Sequence, residues 1–346
     1  MTKKKRTKLI IRIVLLLGTI ISLFFVPWIL VEAWIKPLPD TVQEQVDEAI
    51  GYGFDGMIVY VDEGSKPPEF YTGGWKNREN QIPADPHSLF KIASISKLYV
   101  AVAITKLVKA KRLSLNKTLA DYFPELVGRI EYAEKITLRM MVQHRSGIPN
   151  FTDHPGFWEN PTKISSEEAL ELVFDLPASF EPGEGYEYSN TNYLLLSELI
   201  DKVVGYSHQQ FIKEEILTPL GLNNTYSSLS EVNIDDLMSG YYVGYEEDIK
   251  TNDYGSMIAT AEDVGIFLRA LNDGTLFDEG EQEIYPYVYE HGGLIPGYQS
   301  LAEYHKDIDA VVVQFINTTD FTGYEWNLSE IVINRIVKIL RKQKSS

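Results

Sequence analysis

The 346-residue sequence has no cysteine, which excludes a disulfide framework, a thiolate metal site and a cysteine nucleophile. That absence fits an exported bacterial protein. Two catalytic spacings are also missing: there is no H-E-x-x-H pair to hold zinc on a helix and no G-x-S-x-G elbow. His87, His154, His208 and His305 lack metal-ligand spacing. Internal repeats and low-complexity tracts are absent. Positive charge is scarce, with 32 Lys and Arg against 49 Asp and Glu and a formal net charge of −17. Residues 1–36 hold seven of the basic residues and one Glu, so removing their +6 leaves −23 on the remainder. So acidic a surface argues against binding nucleic acid or anionic lipid headgroups. The sequence is otherwise globular in composition, 44% hydrophobic and 12% aromatic, with enough chain for one large domain or two small ones. Nothing in it points to an oligomeric state.

The scarce basic residues are concentrated at the start. Lys3, Lys4, Lys5, Arg6 and Lys8 precede an apolar run from Leu9 to Val31 broken only by Arg12. At ~1.5 Å per residue such a run spans ~34 Å as a helix, enough for a hydrocarbon layer of ~30 Å. The expectation is a single-pass transmembrane helix over 9–31, a cytoplasmic tail over 1–8 and everything after Trp34 outside the cell. A cleavable signal peptide ending near Ala33, at Val31-Glu32-Ala33, is the competing reading. The run exceeds the usual ~7–15-residue apolar core of such signals, and Trp28 and Trp34 suit a membrane interface.

After a short stiff linker over 32–40, Asp40 or Thr41 caps an amphipathic helix over Val42–Ile50. Gly51-Tyr52-Gly53-Phe54-Asp55-Gly56 matches G-x-G-x-x-G but follows a helix and opens a strand, the reverse of a dinucleotide site, so it reads as a turn. Met57–Val61 and Phe70–Thr72 form a hairpin through Gly64-Ser65-Lys66-Pro67-Pro68. From Leu113 to Leu271 the pattern is mainly helical, punctuated by breakers such as Pro149, Pro182 and Gly205. Ile284–Tyr289, Tyr298–Tyr304 and Ala310–Asn317 read as an antiparallel meander, and Glu325–Arg341 as a last amphipathic helix.

The chain is organised around Ser94-Ile95-Ser96-Lys97, at the head of an apolar helix expected over Ala93–Ala110. The i, i+3 spacing puts the hydroxyl and the amine on one face. Burial and the positive end of the helix dipole both disfavour a charge on such an amine, which lets it act as the base a serine nucleophile needs. An S-x-x-K spacing is common by chance, and an early-helix serine is often only a cap. Two other stretches stand out: Tyr186-Glu187-Tyr188-Ser189-Asn190 before a helix over Asn192–Val204, and His291-Gly292-Gly293 beside a strand, where glycines permit close approach. Ser207 reads as a helix cap.

Taken in order, Ser94-Ile95-Ser96-Lys97, Tyr188-Ser189-Asn190 and His291-Gly292-Gly293 resemble the S-x-x-K, Y-x-N and K/H-x-G motifs of the serine beta-lactamase and penicillin-binding-protein superfamily, in its class C-like branch. Met141–Pro149 and Ser256–Asp263 support the resemblance, which covers about Val42 to Ile339. It implies an α+β, beta-lactamase/transpeptidase-like fold: an antiparallel sheet flanked by helices, with a mostly helical inserted subdomain. The corresponding division of 41–346 is an α/β part over 41–112 and 262–346 and a helical insert over 113–261. It also implies that Ser94 attacks a carbonyl carbon, Lys97 accepts or shares its proton, and Tyr188 relays that proton to the leaving group. Asn190 would hold a substrate amide and orient Lys97, and His291, Gly292 and Gly293 would border the substrate. The backbone N–H groups of Ser94 and Leu294 would form an oxyanion hole. No metal or organic cofactor is implied.

One departure bears on specificity. Members of the family that grip a substrate carboxylate place a lysine and a hydroxyl-bearing residue in the third motif, where this chain has His291 and Gly292. An ordinary imidazole, with a pKa near ~6.5, is mostly neutral at pH 7. The departure argues against a potent beta-lactamase or a strict carboxypeptidase and favours an esterase- or amidase-like specificity. The expected activity is an extracytoplasmic, membrane-anchored serine hydrolase acting through an acyl-enzyme on small-molecule or cell-wall acyl groups of D-alanyl peptide or ester type. A slow penicillin-binding receptor and a beta-lactamase remain as alternatives.

Overall fold

The computed structural model describes residues 3–64, 66–159 and 164–345. A six-stranded sheet runs in the order β3-β2-β1-β6-β5-β4, where β1 is Gly56–Asp62, β2 Glu69–Asn77, β3 Ile82–Pro83, β4 His291–Ile295, β5 Tyr298–His305 and β6 Ala310–Ile316. Every pairing is antiparallel, and the two halves of the sequence meet at β1 and β6, with Met57 opposite Ile316 and Tyr60 opposite Val313. Side chains alternate between faces along a strand. Met57, Val59, Val61, Val312 and Ile316 therefore join one apolar core, and Ile58, Tyr60, Val311, Val313 and Phe315 join the other. Because both faces are covered, β1 and β6 are buried along nearly their whole length.

Seven helices frame the sheet and the site: α1 Lys3–Leu23, α2 Trp28–Ile35, α3 Val42–Ile50, α4 Ser96–Lys109, α5 Asn190–Val204, α6 Ala261–Asp273 and α7 Glu325–Lys344. Helices α3 and α7 cover one face of the sheet, α4 and α6 the other. Helix α3 is opened by a capping box in which the Thr41 hydroxyl accepts the Glu44 N–H and Glu44 reaches back to the Thr41 N–H. Ser207 caps the short helix His208–Ile212, its hydroxyl accepting the Gln210 N–H.

Several expectations change in detail. The apolar N-terminus is not one unbroken helix over 9–31: α1 ends at Leu23, and α2 leaves at 77° after a break that contains Pro27. Proline has no N–H for the helical ladder, and its ring excludes the preceding turn. No single helix among the described residues is long and apolar enough to cross a membrane, although α1 and α2 together meet that test by length and composition. Ile29, Leu30 and Ala33 of α2 pack into the core under α7. The Arg335 guanidinium then pins the following linker by donating to the Lys36 carbonyl at 2.7 Å and the Pro37 carbonyl at 3.0 Å.

Ser65, in the turn of the first hairpin, lies outside the described residues. The first strand of the C-terminal meander is not Ile284–Tyr289 but His291–Ile295. Pro286 cannot donate to a ladder, and the tyrosines that mimic strand alternation pack on one another instead, Tyr285 against Tyr289 and Tyr193 against Tyr287. Between 113 and 260 the described helices are short apart from α5, because Pro124, Pro149, Pro177 and Pro182 keep interrupting them.

Candidate active site

Ser94 lies in a tight 3-10 turn, Ala93–Ile95, that leads into α4, so the helix proper begins later than the apolar pattern suggests. The turn is strained. Ala93 has φ +48°, a left-handed conformation that costs a non-glycine residue roughly 1–2 kcal/mol. Three contacts hold it. The Ala93 N–H donates to Ser256 Oγ at 2.8 Å, the Ile92 N–H donates to the Met257 carbonyl at 3.0 Å, and the strand β4 lies directly against the turn. Gly293 makes that last approach possible, because a Cβ there would collide with the Ile92 carbonyl oxygen and the Ser300 hydroxyl.

The first two motifs converge on the serine oxygen. Tyr188 Oη is 2.7 Å from Ser94 Oγ and Lys97 Nζ is 3.1 Å from it. Lys97 Nζ also donates to Asn190 Oδ1 at 2.8 Å and lies 5.1 Å from the centre of the Tyr188 ring. No carboxylate pairs with Lys97 among the described residues. The amine is held by the Ser94 hydroxyl and the Asn190 amide rather than by a salt bridge. A second buried lysine, Lys91, has its pKa pushed down to about 8 by desolvation. Its Nζ donates to the Lys250 and Asn252 carbonyls at 2.7 and 2.6 Å, so it anchors a loop.

Asn190 belongs to the first turn of α5 rather than to the preceding loop. Its Nδ2 donates to Asn150 Oδ1 at 3.3 Å and Thr152 Oγ1 at 3.1 Å, which fixes the amide with Oδ1 toward Lys97. Both ends of this amide are engaged within the protein, so the geometry suits it to orienting Lys97 more than to gripping a substrate. Asn150 and Thr152 carried no spacing signal, since they reach the site only through this contact with α5.

The third motif lies on β4, the free edge of the sheet. In a hairpin closed by Pro296-Gly297, Ile295 and Tyr298 exchange ladder bonds, and alternation then turns the Leu294 N–H outward. The imidazole of His291 completes a directional chain. His144 Nδ1 accepts the Ser189 N–H at 3.2 Å, so its proton is on Nε2, 3.2 Å from Tyr287 Oη. Tyr287 in turn donates to His291 Nε2 at 2.9 Å, and His291 Nδ1–H donates to the Gly292 carbonyl at 2.5 Å. Desolvation first, and the Lys97 charge second, push His144 down to about 3 and His291 down to about 4, so both rings stay neutral. The His144 ring stacks on Tyr188 with centroids 4.4 Å apart. His144 stood inside a motif-like stretch and Tyr287 inside an apparent strand, and nothing in their spacing linked them.

Gly292 has a steric reason. A Cβ there would stand 2.7 Å from the Trp326 indole, so the tryptophan fills the space a hydroxyl-bearing side chain would need. Ser94, Lys97, Tyr188, Asn190, His291, Gly292 and Leu294 all line one cavity of about 500 Å³. Phe151, Phe157, Trp158, Tyr254 and Trp326 give it an aromatic wall, and Lys97 is its only lysine or arginine among the described residues.

The sequence profile of the Beta-lactamase family matches residues 31–287, which takes in Ser94, Lys97, Tyr188 and Asn190 but stops short of His291. Penicillin-binding protein 4* of Bacillus subtilis (strain 168) is 30% identical over 210 residues, covering 58% of this chain and 44% of that protein. The chain thus spans less than half the length of that relative. Among solved structures, the D-amino acid amidase of Ochrobactrum anthropi SV3 superposes with a TM-score of 0.77 at 22% identity, covering 88% of this chain and 98% of the other. EstCE1, a hydrolase with promiscuous acyltransferase activity, superposes at 0.67 and 19% identity, covering 85% and 97%. At these identities the two structures share the fold. With three quarters of the sequence inside the family profile, the chain belongs to the Beta-lactamase family.

Proposed function

We propose that Ser94 is acylated by esters or amides whose acyl part fills the aromatic cavity, and that Lys97 and Tyr188 carry the proton. The observation that carries this reading is the placement of Ser94 Oγ within hydrogen-bonding distance of both Tyr188 Oη and Lys97 Nζ. Ser94 Oγ attacks the carbonyl carbon, its proton enters the Lys97–Tyr188 pair, and Tyr188 passes a proton to the departing oxygen or nitrogen. The Ser94 and Leu294 N–H groups hold the developing oxyanion, where one such donor is worth ~3 kcal/mol. Water then attacks the acyl-enzyme and returns the proton by the same route.

D-alanyl esters and amides of the cell envelope fit this site better than substrates that need their carboxylate gripped, since the third motif offers a neutral His291 and a tryptophan-blocked Gly292. The N-terminal apolar segment supports a membrane tether. Ile10, Ile11, Val14, Leu15, Leu16 and Leu17 are all exposed on α1, and a helix that beyond Arg12 is apolar on every side is suited to lipid. A slowly deacylating penicillin-binding role is the second reading, favoured by the 30% identity to Penicillin-binding protein 4*.

Intact-mass spectrometry separates these readings. The protein is mixed with a phenylacetyl ester, a D-alanyl ester or a penicillin and followed in time beside Ser94→Ala. Turnover of an ester that vanishes in Ser94→Ala is the expected result. A lasting Ser94-dependent penicillin adduct without ester turnover would replace it with the receptor reading, and turnover surviving in Ser94→Ala would sink both.

A further inference from the structure

A second cavity, of about 530 Å³, lies on the other side of Tyr188 and His291. It shares Tyr188, His291 and Gly292 with the cavity that contains Ser94, yet Ser94, Lys97 and Asn190 do not line it. The residue that protonates a leaving group must touch that group, so a substrate bound across Ser94 has its acyl part on one side of Tyr188 and its departing part on the other.

The chemistry of the second cavity is one-sided. Glu290 and Glu303 are its charged residues, and no lysine or arginine lines it. Glu290 immediately precedes β4 and Glu303 follows Ala302 on β5, so both lie just past the last paired residues, His291 and Ala302. Like charges this close repel, and the Glu290 carboxyl is pushed up by burial and by Glu303, with His305 pulling it the other way. His305 Nε2 lies 3.0 Å from Glu303 Oε2, whereas Glu290 has no ion pair among the described residues. Tyr186 and Tyr287 add ring faces to the wall, and Tyr186 is 68% exposed. Aromatic faces beside an unpaired carboxylate attract an organic cation and repel a carboxylate or phosphate.

We propose that this cavity is the leaving-group subsite and that it selects alcohols or amines bearing a positively charged nitrogen. The proposal rests on the acyl-enzyme reading above and sharpens it. The departing alcohol or amine takes its proton from Tyr188 as its bond to the acyl carbon breaks, with its cationic end held between Glu290 and the tyrosines. Departing groups with a free carboxylate, such as a terminal D-alanine, are disfavoured by the same charges.

The test holds the acyl group constant and varies the alcohol. Phenylacetyl esters of choline, of its neutral isostere 3,3-dimethylbutanol and of glycolate are compared by kcat/KM on the full chain, at low and high salt. The expected result is a preference of about tenfold for the choline ester over the neutral one at low salt, with the glycolate ester slowest. The choline-to-neutral ratio falls toward one in Glu290→Gln with Glu303→Gln. Ser94-dependent hydrolysis of all three esters at equal rates would overturn this inference and leave the acyl-enzyme reading standing. No Ser94-dependent hydrolysis of any of them would overturn both.

Discussion

The two walls of the cleft that holds Ser94 are built on opposite principles. The helix wall, formed by α4 and the start of α5, gathers Ser94, Lys97, Tyr188 and Asn190 around one amine, with Asn150 and Thr152 fixing the amide that faces it. The strand wall, formed by β4, carries no full charge: His291 is neutral, and Gly292 and Gly293 are shaped by Trp326 and Ile92. In the proposed mechanism, proton traffic belongs to the first wall, and fit and backbone donors belong to the second. The sharpest way to break the strand wall is Gly293→Ala. The added methyl forces β4 away from the turn that holds Ser94 and displaces the Leu294 N–H. Loss of one oxyanion donor predicts a fall in kcat of about 100-fold, read by steady-state kinetics. A Gly293→Ala enzyme that works at the wild-type rate would detach this strand from the chemistry.

The second difference between the walls is their response to acid. His144 is fully buried behind Tyr188 and is held at about 3, against ~6.5 for an imidazole in an unfolded chain. On acidification the unfolded state takes up the proton first. The contribution of a neutral His144 is therefore complete above pH ~6.5 and is lost as the pH falls toward 3. Between pH 7 and pH 5 this costs about 2 kcal/mol of folding stability. Asparagine suits the left-handed backbone at this position, φ +54°, and its Oδ1 can accept the Ser189 N–H. Urea unfolding at the two pH values should show a shallower decline for His144→Asn than for wild type, whatever their stabilities at pH 7. Equal declines would mean that His144 is protonated in the folded protein.

How much of this was legible in the sequence follows the same division. Ser94 and Lys97 are three residues apart, and Tyr188 and Asn190 two, so helix and turn periodicity alone put each pair on one side. The β1 and β6 strands were legible because Val, Ile and Tyr dominate them. The contacts that complete the site join residues far apart in sequence: Ser256 to Ala93, Asn150 to Asn190, Trp326 to Gly292 and Tyr287 to His144. Each depends on how the sheet closes over α4, and no local pattern encodes that. The apparent strand at Ile284–Tyr289 has the same origin, because aromatic residues chosen for packing around His144 imitate alternation. The N-terminal run is apolar throughout, as its composition says, but Pro27 turns it after Leu23 and lets α2 dock on α7.

Tyr287 connects the two walls, and Tyr287→Phe sharpens the comparison with a smaller effect. The variant keeps the ring packed against Tyr193 and removes one hydroxyl. It thereby strips His291 Nε2 of its donor and His144 Nε2–H of its acceptor. With Nδ1–H held by the Gly292 carbonyl, a free Nε2 takes up a proton more readily, because donation from Tyr287 had favoured the neutral ring. The acid limb of the pH–rate profile, set near 4 in the wild type if His291 must be neutral, should move upward. Lys97 and the His144 ring are the groups facing that added charge, and a cation on His291 opposes the proton transfer from Ser94 to Lys97. The expected loss in kcat/KM is about tenfold at pH 5 and smaller at pH 8. A merely structural role for Tyr287 would lower both by the same factor. A profile whose limb stays in place would mean that the strand wall supplies shape alone.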